Sequence, residues 1–176
     1  MDKPTKVLYL DLDGTVRKGY DELGNFVNRK EDVEVFEEVP ALLQKYAGEG
    51  WRIVGITNQG GVALGHLSFN DMLDAVEETN RQCNYLFDRI MACVHHPEAK
   101  EQEMAVCWCR KPRIGLIVEA ANGLGKMYEE YYPPHLALFV GDRPEDKACA
   151  ENAGIEFMDA KEWRNPKADK ERNINK

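Results

Sequence analysis

What this chain lacks narrows its function before any motif is read. No apolar run approaches the roughly 20 residues that a membrane-spanning helix needs. Basic residues are outnumbered, 23 Lys and Arg against 31 Asp and Glu, for a net charge of −8 at pH 7. That balance gives no general attraction to nucleic acid or to an anionic membrane, and the basic residues are not interleaved with aromatics as in a single-strand binding groove. The segment Met1-Asp2-Lys3-Pro4 has neither the basic nor the apolar stretch of a secretory leader, so a cytoplasmic location is expected. The cysteines number five, an odd count that argues against a disulfide framework and for metal binding where they cluster. No internal repeat is present.

What is there describes an ordinary globular chain. Its 176 residues, 43% hydrophobic and 31% charged, suffice for one domain with a substantial core. Apolar runs at 6–10, 52–57, 89–94, 136–140 and 155–158 read as strands. They alternate with helical patterns at 40–47, 69–86, 115–128 and 145–152, which is the order of an α/β fold with a parallel sheet between two helical layers. Ser68 is a candidate N-cap with Asp71 three residues on. Met72, Val76, Thr79 and Cys83 give the helix after it one buried face. Residues 17–32 are polar and too short for a capping domain, and 95–113 form a second irregular insert. A single domain over 1–164 is expected, with a polar, disordered tail at 165–176.

The most informative stretch is Asp11-Leu12-Asp13-Gly14-Thr15, directly after Val7-Leu8-Tyr9-Leu10. A strand buried on both faces carries no charge, so two acids where it ends need a reason, and a divalent cation is the usual one. Three other polar groups also follow strands or open a helix: Thr57-Asn58-Gln59-Gly60-Gly61, Arg110-Lys111, and Gly141-Asp142-Arg143-Pro144-Glu145-Asp146. Ligands of open parallel sheets bind at that edge. Phosphoryl transfer needs a nucleophile, a cation and fixed donors around the phosphate oxygens. Asp11 is the candidate nucleophile and Asp13 the acid/base. Asp11, Asp13 and Asp142 are candidate Mg²⁺ ligands. Thr57 and the amides of Asn58 and Gln59 are candidate phosphate donors, and Lys111 supplies positive charge. The bland alternatives are a helix cap at Thr57-Asn58 and a surface charge at Lys111.

A second metal is suggested by Cys93-Val94-His95 and Cys107-Trp108-Cys109. Three thiolates and one imidazole complete a tetrahedral zinc set, and a site filled by protein on all four sides is structural. His96 competes with His95 for the fourth position, and two pairs of incidental cysteines are the alternative to a site.

The order DxDGT, TNQ, RKP and GDxxxD resembles the haloacid dehalogenase superfamily of phosphatases. The resemblance implies a Rossmann-like three-layer sandwich and Mg²⁺-dependent hydrolysis through an aspartyl phosphate. Asp11, Asp13, Thr57, Lys111 and Asp142 fall on its functional positions, and Asp146 on a supporting acid. The run Cys93-Val94-His95-His96-Pro97 with Cys107-Trp108-Cys109-Arg110-Lys111-Pro112 is similar to the subgroup that carries a zinc loop, here about 93–110, in place of a large cap. Arg110 and Lys111 match its substrate-side basic pair. That subgroup implies a small phosphorylated partner: a sugar such as a heptose bisphosphate, or histidinol phosphate. A polynucleotide 3′-phosphate is the further enzymatic alternative. The assembly expected is a monomer or weak homodimer. Leu12 departs from the subgroup, which commonly has Arg between the two acids. The non-enzymatic alternative, a zinc-stabilised binding module, would show the loss of Asp11, Asp13 or Lys111; these three and Asp142 are all present.

Overall fold

The protein is described here by a computed structural model that covers residues 3–165. Of the tail expected at 165–176, Asn165 is described, its amide donating to the Glu162 carbonyl at 3.0 Å, and 166–176 lie outside the described residues. Strands β1 (Val7–Leu10), β2 (Arg52–Asn58), β3 (Arg89–Cys93), β4 (Ala137–Gly141) and β5 (Glu156–Asp159) form one parallel sheet. Their spatial order is β3-β2-β1-β4-β5. The chain therefore builds outward from β1 to one side, then returns to place β4 against its other edge. That reversal, between β1 and β4, is the topological switch point where ligands of such sheets bind.

Helices α1 (Val39–Gly48), α2 (Phe69–Gln82), α3 (Gly115–Tyr128) and α4 (Pro144–Ala153) cover the sheet. Side chains alternate across a strand, and β1 shows why its run is unbroken by polarity. Val7 and Tyr9 pack with Leu116, Ile117, Ala120 and Leu124 of α3 and Ala150 of α4. Leu8 and Leu10 face the other way, with Val39 and Leu43 of α1. The alternation persists past the strand, and Leu12 joins the same row as Leu8 and Leu10. An apolar residue between two acids is thus a core residue.

Element boundaries differ from the sequence pattern for local reasons. The helix read to residue 86 ends at Gln82, because Asn84 and Tyr85 both adopt φ of 55° and turn the chain toward β3. Ile155 donates its amide to the Ala150 carbonyl at 2.9 Å and closes α4, so β5 begins one residue later than read. Ser68 caps α2 as expected, accepting the Asp71 amide at 3.0 Å. Cys83 and Cys149 are fully buried, as expected of core residues, with Cys83 just past the end of α2.

No capping domain stands over the sheet edge among the described residues. Residues 17–32 hold a single helical turn, Tyr20–Leu23, and a 3₁₀ turn, Lys30–Asp32. Leu23, Val27 and Val33 seat this flap on Ala75 of α2. The insert at 95–113 contains one more turn, Gln102–Ala105. No described helix is long and apolar enough to cross a membrane.

Leu43 is 0% exposed and Leu73, on the outer face of α2, is 46% exposed. Leu43→Ala should lower unfolding free energy by about 2–5 kcal/mol, and Leu73→Ala by no more than about 0.5 kcal/mol. Urea titration of both variants reads the difference; equal losses would place the core elsewhere.

Candidate active site

Asp11 leaves β1 at the switch point, and its amide still reaches the Val140 carbonyl of β4 at 3.0 Å. The residue is 5% exposed. Asp142 follows β4 directly, and its carboxylate lies over Gly14, whose φ of +88° and lack of a side chain let the two loops approach. Asp146 sits in the first turn of α4, where its Oδ2 accepts the amides of Asp142 (3.2 Å) and Arg143 (3.0 Å). That is N-terminal capping, and it fixes the turn carrying Asp142.

Lys111 enters this acidic floor from the insert. Its Nζ lies 2.5 Å from Asp11 Oδ1 and 2.7 Å from Asp146 Oδ1, and donates to the Ile56 carbonyl at 2.8 Å. The residue is 4% exposed, so this is a buried cation held between two carboxylates. Burial alone would lower the Lys111 pKa, but the charges of Asp11 and Asp146 outweigh it and raise it. Burial pushes the Asp11 carboxyl well above the usual carboxylate range; Lys111 opposes this, while Asp146 and Asp13 add to it. Asp142 is pushed up to about 6, first by burial and then by Asp146.

Three carboxylates, Asp11, Asp142 and Asp146, thus face one ammonium. Their oxygens lie within 4.8 Å of one another. Asp11 Oδ2 and Asp142 Oδ1 are buried without a hydrogen-bond partner. Buried acceptors left unmatched are costly, and a hard divalent cation matches them. The donor set therefore fits Mg²⁺. Asp13 stands apart from this group: its carboxylate accepts Arg17 Nε at 2.8 Å and Gln59 Nε2 at 2.7 Å.

The turn after β2 is tied differently from the sequence reading. The Gln59 amide is already committed to the Cys93 carbonyl at 2.6 Å, so it is not a free phosphate donor. Gln59 acts through its side chain, which donates to both Asp13 and the Thr57 hydroxyl oxygen (2.8 Å). Thr57 is 1% exposed and sits beneath Gln59. Asn58 grips the backbone of Lys111, accepting its amide at 3.0 Å and donating to its carbonyl at 3.2 Å. This side-chain clamp places the lysine.

Above the floor opens a cavity of about 980 Å³, lined by Asp13, Gln59, Arg110 and His96 together with Tyr20 and Phe26 of the flap. Arg110 Nη1 donates to the His95 carbonyl at 3.0 Å. Gly60 lies so close that a Cβ there would stand 2.9 Å from Arg110 Nη1 and 2.8 Å from His96.

Cys93, His95, Cys107 and Cys109 converge in the adjoining loop. Cys93 Sγ lies 3.8 Å from Cys107 Sγ and 3.2 Å from Cys109 Sγ; His95 Nδ1 is 3.5 and 3.4 Å from Cys93 and Cys109. Bonded sulfurs would sit about 2.05 Å apart, whereas ligands of a tetrahedral zinc ion stand about 3.5–3.8 Å apart. The four donors fit zinc, and the Arg110 amide pointing at Cys107 Sγ (3.4 Å) is the usual support for such a thiolate. His96 takes no part; it faces the cavity. Period-two alternation, which puts 93 and 95 on one side of an extended segment and 96 on the other, was the available sequence signal.

Two further residues escaped the sequence reading. Arg17, read as part of a polar flap, is 1% exposed. Arg164 donates to the carbonyls of Gly14 (2.9 Å) and Thr15 (2.7 Å), bracing the loop after β1.

Known proteins agree with this geometry. Residues 6–163 match the family of polynucleotide kinase 3 phosphatases. A D-glycero-beta-D-manno-heptose-1,7-bisphosphate 7-phosphatase of Helicobacter pylori is 30% identical, the alignment covering 85% of this chain and 80% of that protein. One from Haemophilus ducreyi is 29% identical over 85% and 79% of the two chains. Among solved structures, a had-like phosphatase from Mesorhizobium loti superposes with a TM-score of 0.74 at 22% identity, covering 88% and 71% of the two chains. The D,D-heptose 1.7-bisphosphate phosphatase of B. bronchiseptica, complexed with magnesium and phosphate, gives 0.69 at 24% identity, over 87% and 79%. Since the matched span holds both strand-end acids, the buried lysine and the acidic turn, this chain belongs to the polynucleotide kinase 3 phosphatase family and is a phosphatase of the haloacid dehalogenase type.

Proposed function

We propose that this phosphatase removes one phosphate from a heptose bisphosphate, or a closely related sugar phosphate, through a covalent intermediate on Asp11. The observation that carries the chemistry is the buried set at the switch point: Lys111 Nζ within 2.7 Å of both Asp11 and Asp146, beside carboxylate oxygens that have no partner. The relatives named as heptose-1,7-bisphosphate 7-phosphatases support the substrate class.

In this reading the Asp11 carboxylate attacks phosphorus, the new O–P bond forming as the bond to the leaving oxygen breaks. Asp13 gives that oxygen a proton, then takes one from the water that cleaves the aspartyl phosphate and restores Asp11. Lys111 offsets the charge on the phosphoryl oxygens and keeps Asp11 in place. Asp11 and Asp142, with support from Asp146, would hold Mg²⁺, which when bound would supply electrostatic stabilisation of the transferring group. Arg110 reaches the sugar side of the cavity. The Thr57 hydroxyl and the Asn58 region border the phosphate. Cys93, His95, Cys107 and Cys109 would hold a zinc ion, which would pin the loop that delivers Arg110 and Lys111. All five cysteines are unpaired, which supports a reducing, cytoplasmic setting.

A polynucleotide 3′-end is the second reading, favoured by the name of the matched family. Against it stand the 31 acidic residues facing 23 basic ones, since an end-binding groove for a polyanion gains its affinity from basic residues.

Phosphate release with Mg²⁺ should be strongest on a heptose bisphosphate and weak on histidinol phosphate and on a 3′-phosphorylated oligonucleotide. Asp11→Asn should lower the rate by about 1,000-fold or more without changing the melting temperature. Preference for the oligonucleotide would replace the sugar reading, and retained activity in Asp11→Asn would remove the covalent one. Metal analysis of the purified protein should find one zinc per chain, lost in Cys109→Ser together with several degrees of thermal stability. A zinc-free wild type of unchanged stability would leave the four donors without that role.

A further inference from the structure

Arg17 has no place in the mechanism above, yet it is among the most buried side chains of the protein. It is 1% exposed and spends every side-chain nitrogen on a bond. Nε donates to Asp13 Oδ1 at 2.8 Å and Nη2 to Asp13 Oδ2 at 3.3 Å. Nη1 turns the other way, to Thr79 Oγ1 at 2.9 Å and the Ala75 carbonyl at 3.2 Å, both on α2. Thr79 in turn donates to the same Ala75 carbonyl at 2.7 Å.

The backbone makes this arrangement rigid. Leu12 O accepts the amides of Val16 and Arg17, each at 2.9 Å, and Gly14 donates to Arg17 O at 2.8 Å. The chain thereby returns residue 17 to the side of residue 13. A buried ion pair is a poor device for stability, because apolar residues of like volume serve as well or better. What a two-pronged guanidinium does provide is direction, since its fork fixes the plane of the carboxylate it holds. Gln59 Nε2 adds a third donor to Asp13 at 2.7 Å, from the β2 side.

We infer that Arg17 is a positioning residue: it aims the Asp13 carboxylate at the leaving oxygen and anchors that aim to α2 through Thr79 and Ala75. This rests on Asp13 as the acid/base of the proposed reaction. The consequence concerns leaving groups. An alkyl phosphate needs a proton on its departing oxygen, whereas p-nitrophenolate departs without one. Loss of aim at Asp13 therefore slows formation of the aspartyl phosphate from the first and spares it from the second. Hydrolysis of that intermediate, with Asp13 as base, slows for both. The ratio kcat/KM reads only the steps up to leaving-group departure and so isolates the difference. General loss of structure harms both.

The test measures kcat and KM for an alkyl sugar phosphate and for p-nitrophenyl phosphate in four proteins: wild type, Arg17→Met, Arg17→Lys and Asp13→Asn. Arg17→Met should lower kcat/KM on the sugar phosphate by about 100-fold and on p-nitrophenyl phosphate by less than about 5-fold. Arg17→Lys, which restores the charge without the fork, should fall between. Thr79→Val removes one anchor without touching Asp13 and should shift the ratio of the two rates in the same direction, so the inference stays testable if Arg17→Met fails to fold. Equal losses on both substrates in Arg17→Met and an unchanged ratio in Thr79→Val would overturn the positioning role. If Asp13→Asn itself shows no such selectivity in kcat/KM, the reading of Asp13 as the acid fails first.

Discussion

The structure turns on a lysine ammonium buried between two carboxylates. Lys111, Asp11 and Asp146 come from the insert, the end of β1 and the first turn of α4, so three segments far apart in sequence meet in one ion cluster. Removing the one ammonium of this cluster leaves buried carboxylates unmatched, at about 3–5 kcal/mol, whereas neutralising Asp11 leaves Lys111 paired with Asp146. The cluster holds the loops together, and in the proposed mechanism it also receives the phosphoryl group. With three carboxylates against one ammonium it stays short of positive charge, which leaves room for a divalent cation and an anionic substrate together.

The supports around it are mostly polar bonds from side chain to backbone. Asn58 holds Lys111 by its main chain, Asp146 holds the Asp142 turn, and Arg164 holds the carbonyls of Gly14 and Thr15. Each fixes a loop, where a hydrophobic contact would leave the backbone free to pivot. The Cys93, His95, Cys107 and Cys109 quartet plays the same part for the insert, which has little apolar surface of its own. Hydrogen bonds, together with the zinc proposed for this quartet, thus stand in for the core that a larger cap would have brought.

Much of this was legible in the residues. Continuous apolar runs marked strands buried on both faces, and acids directly after them marked the sheet edge. Sequence alternation could also have separated His95 from His96. Other features were hidden by physics. The flap looked polar because Arg17 is charged, and no periodic pattern reveals a guanidinium whose bonds are all internal. The free amide expected of Gln59 was lost to a carbonyl of β3, a contact set by strand register. Leu12 looked like a departure within a catalytic motif. Its side chain continues the row of Leu8 and Leu10, so the core explains it.

The central claim is that Asp11, held by Lys111, accepts the phosphoryl group. Acid-quenching the enzyme during turnover with Mg²⁺ and substrate, then treating it with borohydride, tests this directly, since an aspartyl phosphate is reduced to homoserine. Mass spectrometry of the peptide spanning residue 11 should find homoserine there, only in the presence of substrate. An unmodified Asp11 under conditions of steady turnover, or the label on another residue, would contradict the account.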